Sequence, residues 1–185
     1  VGAVDVISSY NYHIDLLRRT FRKDLISNKD LYNTTSAGTI AGEGVGMFRI
    51  NNIPENAVAQ IRAIKMIHTE DEAHVTTALQ EFLRQQVDRN DSVDLFISGE
   101  NGDERLLKYY HAAESVFTDA TTIVRYKHLC GDFPTASSFA LWLACYNLPL
   151  PDHCIKHQGT LQQHQNILIY NNCYGKQHGF IYLTK

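Results

Sequence analysis

The spacing of apolar and polar positions changes several times along this chain, and each change marks an element. Val1-Gly2-Ala3-Val4-Asp5-Val6-Ile7 is nearly continuous in apolar and β-branched residues, which predicts a strand buried on both faces. Ile14, Leu17 and Phe21 recur at helical spacing in the polar stretch that follows. Residues 27–40 are rich in Ser, Asn, Thr and Gly and read as a surface loop. Gly42 to Gly46 then opens into a second strand, Met47-Phe48-Arg49-Ile50, and Pro54 punctuates the passage to a new unit.

From Val58 the periods alternate. Val58 to His68 reads as a strand, and Val75, Leu79, Phe82 and Leu83 form one stripe of an amphipathic helix. Ser92–Ser98 is a strand, Leu106, Leu107, Tyr110, Ala113 and Phe117 make another helical stripe, and Thr121–Tyr126 is a short β-branched strand. Thr135 is placed to cap a helix from Ala136 to about Asn147. Phe139 to Cys145 make it apolar all round, hence central and buried, and Pro149 and Pro151 stop it. Asn166–Tyr170 and Phe180–Leu183 close the chain as an antiparallel pair, joined by a loop carrying Gly175 and Gly179. Strand–helix alternation of this kind argues for a layered α/β sheet with helices on both faces.

Composition narrows the class. With 185 residues, 44% of them apolar and 20% charged, the chain can bury a substantial core. A net charge of −3 offers no polycation for nucleic acid or for an anionic membrane. No apolar run approaches the ~18 residues that would span a bilayer. No signal-peptide pattern surrounds the apolar start, so the sequons at Asn33 and Asn90 read as chance. Cys130, Cys145, Cys154 and Cys173 form no C-x-x-C pair and read as reduced thiols of a cytoplasmic protein. A chain that opens inside a buried strand without an initiator methionine reads as the later part of a longer polypeptide.

Several motifs suggest chemistry that their context does not support. Gly42-x-Gly44-x-Gly46 is followed by a strand, whereas a dinucleotide fingerprint needs a helix N-terminus there to hold the pyrophosphate. Close backbone approach is the better use of these glycines, with Glu43 as a buried acid tying loops together. Asp152-His153-Cys154-Ile155-Lys156-His157 carries soft zinc ligands, but no partner pair stands out and the segment reads as a polar loop without metal. Cys145, inside the apolar helix, reads as packing. Cys130, beside Lys127 and His128, is the better candidate for a depressed thiol pKa.

Two runs carry a family resemblance. Lys127-His128-Leu129-Cys130-Gly131-Asp132-Phe133-Pro134-Thr135-Ala136-Ser137-Ser138 resembles the Lys-Ser-x-x-Gly-His run before a small-residue helix in the β-ketoacyl synthases, the carbon–carbon condensing enzymes of fatty-acid and polyketide synthesis. Ala41-Gly42-Glu43-Gly44-Val45-Gly46 resembles that family's Gly-Glu-Gly-x-Gly run entering a core strand. The resemblance implies a thiolase-like layered α-β-α fold. Residues 1–52 would end the N-terminal half, residues 53–185 would form the C-terminal half, and the nucleophilic cysteine would lie upstream of Val1.

The two family histidines should fall within this chain, and neither does. The first maps to Ser98 or Gly99, after Val93-Asp94-Leu95-Phe96-Ile97, and the second to Asp132. In the family these imidazoles donate hydrogen bonds to the thioester enolate formed by decarboxylation, and losing such a donor costs on the order of 10²–10³ in rate. A carboxylate at Asp132 would set a like charge near that oxyanion. Lys127 matches the lysine that supports the second histidine through a polar network. The acyl-pocket gate loop maps to Asn172–Lys176, where only an aromatic and a glycine, Tyr174 and Gly175, remain.

Decay at these three places resembles the chain-length factors, which pair with a true ketosynthase and shape its acyl tunnel. The Gly-Glu-Asn-Gly-Asp and Pro-Thr-Ala-Ser versions resemble a branch associated with aryl-polyene or flexirubin-like pigments. The leading expectation is a non-catalytic subunit of carrier-bound fatty-acid, polyketide or polyene synthesis, needing no cofactor or metal. Its partners would be an acyl carrier protein and a ketosynthase or a second copy. One alternative is an active 3-oxoacyl synthase in which Asp132, Lys127 and His128 replace the usual donors. Another is an unrelated α/β interaction domain.

Overall fold

The computed structural model of the chain describes residues 1–87, 92–146, 151–160 and 164–185. The sequon at Asn90, the expected helix end at Asn147 and the stop at Pro149 lie outside the described residues.

A six-stranded mixed sheet organises the molecule. It is built from β3 (Gln60–His68), β4 (Leu95–Ser98), β5 (Thr122–Arg125), β6 (Ile155–His157), β7 (Asn166–Cys173) and β8 (Gln177–Thr184). Their spatial order is β3-β8-β7-β4-β5-β6. The central strands β7, β4 and β5 run parallel, while β3, β8 and β6 are antiparallel to their neighbours. Every residue of β4 is buried, as a strand covered on both faces requires.

Alternation along β4 divides two cores. Phe96 points to one side with Leu168, Tyr170 and Phe180, under α2 (Glu72–Gln86) and α3 (Leu107–Glu114). Leu95 and Ile97 point to the other side with Val124, Ile167 and Ile169, against α5 (Ser137–Cys145). The result is the layered helix–sheet–helix arrangement expected from the periodicity. The stripe read as Val75, Leu79 and Phe82 is the buried face of α2, with Asp71 as its N-cap accepting from the Ala73 amide at 3.0 Å.

Residues 1–50 lie beside this unit. The helix α1 (Ser9–Leu17) is capped by Ser8, and β1 (Gly2–Asp5) pairs antiparallel with β2 (Gly44–Met47) in a separate two-stranded ribbon. Val1–Ile7 is therefore not buried on both faces. Val4, Val45 and Met47 are 56%, 64% and 68% exposed, because only one face of the ribbon is covered, by α5.

Three other expectations change. Residues 27–40 are not wholly a surface loop, since Leu31 and Thr39 are buried against the segment after β4 and Gly38 is buried against residues 19–22. Thr135 does not cap α5. Its amide and hydroxyl both donate to the Asp5 carboxylate, and α5 starts at Ser137 with Ala136 at the cap position and no side-chain cap. Nor is α5 buried all round, because Trp142 is 39% exposed at a cleft of about 620 Å³ between the helix and β2. Among the described residues no helix is long and apolar enough to cross a membrane.

Candidate functional site

Ser98 at the end of β4 pairs with Arg125 of β5 and Tyr170 of β7, so the carboxyl ends of the three parallel strands lie close together. Loops leaving such ends open a crevice, the usual ligand site of open α/β sheets. Three segments converge there: 99–105 after β4, 126–132 after β5, and the β7–β8 turn. They contain Gly99, Lys127, Asp132, Tyr174 and Gly175, and Ser98 stands at the strand end just before them; each was singled out by sequence.

The centre is an ion pair. Helix α4 (Lys127–Cys130) starts one residue beyond β5, and its first residue, Lys127, is 2% exposed. Lys127 Nζ donates to Asp132 Oδ1, and Asn101 Nδ2 donates to Asp132 Oδ2 at 2.8 Å. Each carboxylate oxygen thus accepts from a protein donor. Asn101 rather than Ser98 reaches Asp132; Ser98 is fully buried, with Oγ accepting from the Glu100 amide at 3.4 Å. Gly99 donates its amide to Tyr170 O at 2.8 Å, and a Cβ there would meet Asn171 Oδ1 at 1.9 Å.

Backbone pairing locks the two sequence landmarks together. Asp132 N donates to Ile40 O at 2.8 Å, and Gly42 N donates to Asp132 O at 3.0 Å. Gly131 has φ +73, favourable only without a side chain, and a Cβ at Gly42 would sit 2.1 Å from Cys130 O. A Cβ at Gly44 would meet Phe133 at 2.9 Å and one at Gly46 would meet Ser138 at 2.5 Å, so these glycines are used for approach. Glu43 is exposed rather than buried, though it does tie loops by accepting from the Ile7 amide at 3.1 Å. Its position on the open ribbon explains the difference.

The run from Glu100 to Asp103, read from the sequence only as part of the Gly-Glu-Asn-Gly-Asp resemblance, is a buried polar hub. Glu100 pairs with Arg125 at 3.1 Å and with Lys156 at 2.5 Å, and Lys156 also reaches Glu114 at 2.8 Å. Asp103 is paired by Arg105, which in turn donates to Arg19 O at 2.6 Å. Thr39 Oγ1 donates to Asn101 O at 2.5 Å. Polar residues filling an entire loop after a buried strand were the available clue, since buried charge demands partners.

At the gate position, Tyr174 and Gly175 both adopt positive φ in the β7–β8 turn. Gly179 is not part of that turn but lies within β8. Cys173, just before the turn, has its thiol pushed up by burial and then by the Asp132 charge, with Lys127 opposing. The turn is therefore within electrostatic reach of the ion pair. Cys130 is not activated. Burial outweighs the attraction of Lys127, and the thiol is pushed up to about 11.

The segment Asp152–His157 is not a loop. A 3-10 turn over Asp152–Cys154 leads into β6, and Cys154 is fully buried. His128, absent from the sequence reading of this segment, meets it there; His128, His153 and Cys154 could hold a metal ion.

No family model matches the sequence, and no curated protein matches it. Solved structures do. The chain superposes over its whole length on the ishigamide ketosynthase/chain length factor, with a TM-score of 0.72 and 14% identity over 53% of that chain. A ketosynthase from module 6 of the bacillaene synthase of Bacillus subtilis 168 gives 0.68 and 12% over 41% of its length. A β-ketoacyl synthase from Burkholderia phymatum STM815 gives 0.63 and 12% over 54%. The chain thus has the thiolase-like ketosynthase fold, and it spans about half the length of the structures it matches.

Proposed function

We propose that this chain is part of a ketosynthase-like subunit of carrier-bound polyketide or polyene synthesis, and that it acts as a chain-length factor rather than a condensing enzyme. Residues 1–52 would end the N-terminal half, and residues 53–185 would form the C-terminal half. An acyl carrier protein and a catalytic ketosynthase are its partners in this reading.

The observation that carries it is the state of Asp132. Decarboxylative condensation needs hydrogen-bond donors aimed at a developing enolate oxyanion. At Asp132 the side chain is an acceptor, with Lys127 and Asn101 turned toward its own oxygens. Lys127, the nearest cation, is already committed to a carboxylate. Ser98, which with Gly99 is the candidate for the other family position, is buried at the end of β4. A site whose donors are spent internally favours a packed wall over an oxyanion hole.

The test is intact mass of the full-length protein after incubation with malonyl- and acyl-carrier thioesters, with and without a candidate ketosynthase. The expected result is no acylation of the protein alone, together with a stable complex and altered product length beside the partner. Acylation and product formation by the protein alone would overturn this reading and favour an active condensing enzyme, with Lys127 freed from Asp132 during turnover.

A further inference from the structure

The arrangement of α4 and β6 makes a second site that the proposed function does not use. Val124 of β5 pairs with Ile155 of β6, which sets Cys154 beside the turn where β5 passes into α4. His128 is on α4, 26 residues before Cys154, and its Nε2 lies 3.6 Å from Cys154 Sγ. The His153 ring stands edge-on to His128 with centroids 5.0 Å apart. One ligand atom from each of the three lies within 4.8 Å of the others. We propose that His128, His153 and Cys154 bind a thiophilic divalent cation, zinc(II), in a three-ligand site whose fourth position is taken by water.

Geometry supports this first. Tetrahedral zinc, with Zn–N of about 2.0–2.1 Å and Zn–S of about 2.3 Å, holds its nitrogen and sulfur ligands about 3.6 Å apart. The His128–Cys154 pair already has that separation. His153 is exposed, so its ring can turn inward without disturbing the core. The same exposure leaves the fourth position open to solvent.

The surroundings orient His128 as a ligand. Tyr32 Oη donates to Glu100 O at 3.2 Å, and His128 Nδ1 lies 3.4 Å from the same Oη. With the tyrosine proton committed to the carbonyl, Nδ1 carries the hydrogen and Nε2 keeps its lone pair toward Cys154. Metal-binding histidines are commonly held this way, by a hydrogen bond from the nitrogen that does not face the metal. Cys154 is fully buried and sits beside the two imidazoles, and a metal binds the thiolate, so loading the site releases the thiol proton. Arg125 is itself paired with Glu100 at 3.1 Å, which tempers its repulsion of a cation.

The test uses the full, reduced, metal-free protein and cobalt(II), which reports thiolate ligation by a charge-transfer band and tetrahedral geometry by intense visible bands. We expect both bands at one cobalt per site, bleached by stoichiometric zinc. Cys154→Ser should remove the charge-transfer band, and His153→Ala should weaken zinc at least about tenfold in a chelator competition. His153 is on the surface, so that variant tests binding without threatening the fold, and circular dichroism checks Cys154→Ser. No charge-transfer band at saturating cobalt, or equal zinc affinity in wild type and both variants, would overturn the site and leave a thiol–imidazole contact. The readouts involve no acyl transfer, so this result stands or falls separately from the proposed function.

Discussion

Replacing Asp132 by Asn keeps the shape and the contact with Asn101 but removes the charge that faces Lys127. The Lys127 side chain is 3% exposed and that of Asp132 is 23% exposed. Breaking an enclosed ion pair by removing one partner costs roughly 3–5 kcal/mol, because the other charge is left buried and unpaired. Partial water access at Asp132 reduces this to about 2–3 kcal/mol. For a chain of this size that lowers Tm by roughly 4–12 °C. Lys127→Met should cost less, about 1 kcal/mol, since the remaining carboxylate keeps Asn101 and some water. In the double variant neither charge remains, so it should be no worse than Lys127→Met alone. The assay is urea unfolding followed by circular dichroism across the four proteins, analysed as a double-mutant cycle. A coupling of about 2 kcal/mol is expected. Additivity to within about 0.5 kcal/mol would refute the pairing and remove the reason for denying Asp132 a donor's role.

Other predictions concern packing and pH. Gly42→Ala would push a methyl group to 2.1 Å from Cys130 O and 2.8 Å from the Gly131 backbone. It should destabilise by about 1–3 kcal/mol in the same assay, whereas Gly179→Ala, with nothing within 4 Å, should stay within about 0.5 kcal/mol. His178 is fully buried, with Nε2 3.1 Å from Thr69 O and Nδ1 2.9 Å from Tyr170 Oη; burial is the main cause of its lowered pKa. Because the unfolded chain takes up this proton first, stability should fall as pH drops below about 6.5. His178→Gln should flatten that dependence in urea midpoints measured at about pH 7.5 and about pH 5, and an unchanged slope would show that His178 is not its source.

Period alone carried much of the architecture. Val75, Leu79 and Phe82 on one helical stripe, and Leu95 to Ile97 between two covered faces, follow from local spacing, because burial selects side chains by the geometry of each element. The landmarks around Gly42 and Lys127 were also visible as residues, and the structure joins them through Asp132 and its backbone bonds to Ile40 and Gly42. The strand at Val1–Ile7 was legible as a strand. Its one-sided exposure was not, since nothing local says what will cover a given face.

What only tertiary structure decided is who pairs with whom among polar groups. Thr135 has the chemistry of a helix cap, yet it lies one residue before the cap position of α5, and its amide and hydroxyl both donate to Asp5 of β1, a charged acceptor that the fold delivers. Glu100 and Asp103 stand in a run that spacing cannot distinguish from a surface loop; Glu100 is buried against Arg125 and Lys156, which arrive from β5 and β6, and Asp103 is paired by Arg105 of its own segment. His128 meets Cys154 only because β6 is added beside β5. Hydrophobic periodicity is written within a few neighbouring residues, so most elements and the inward stripes of the helices could be read locally. Ion pairs and ligand clusters join residues distant along the chain, and their partners are chosen when the sheet assembles.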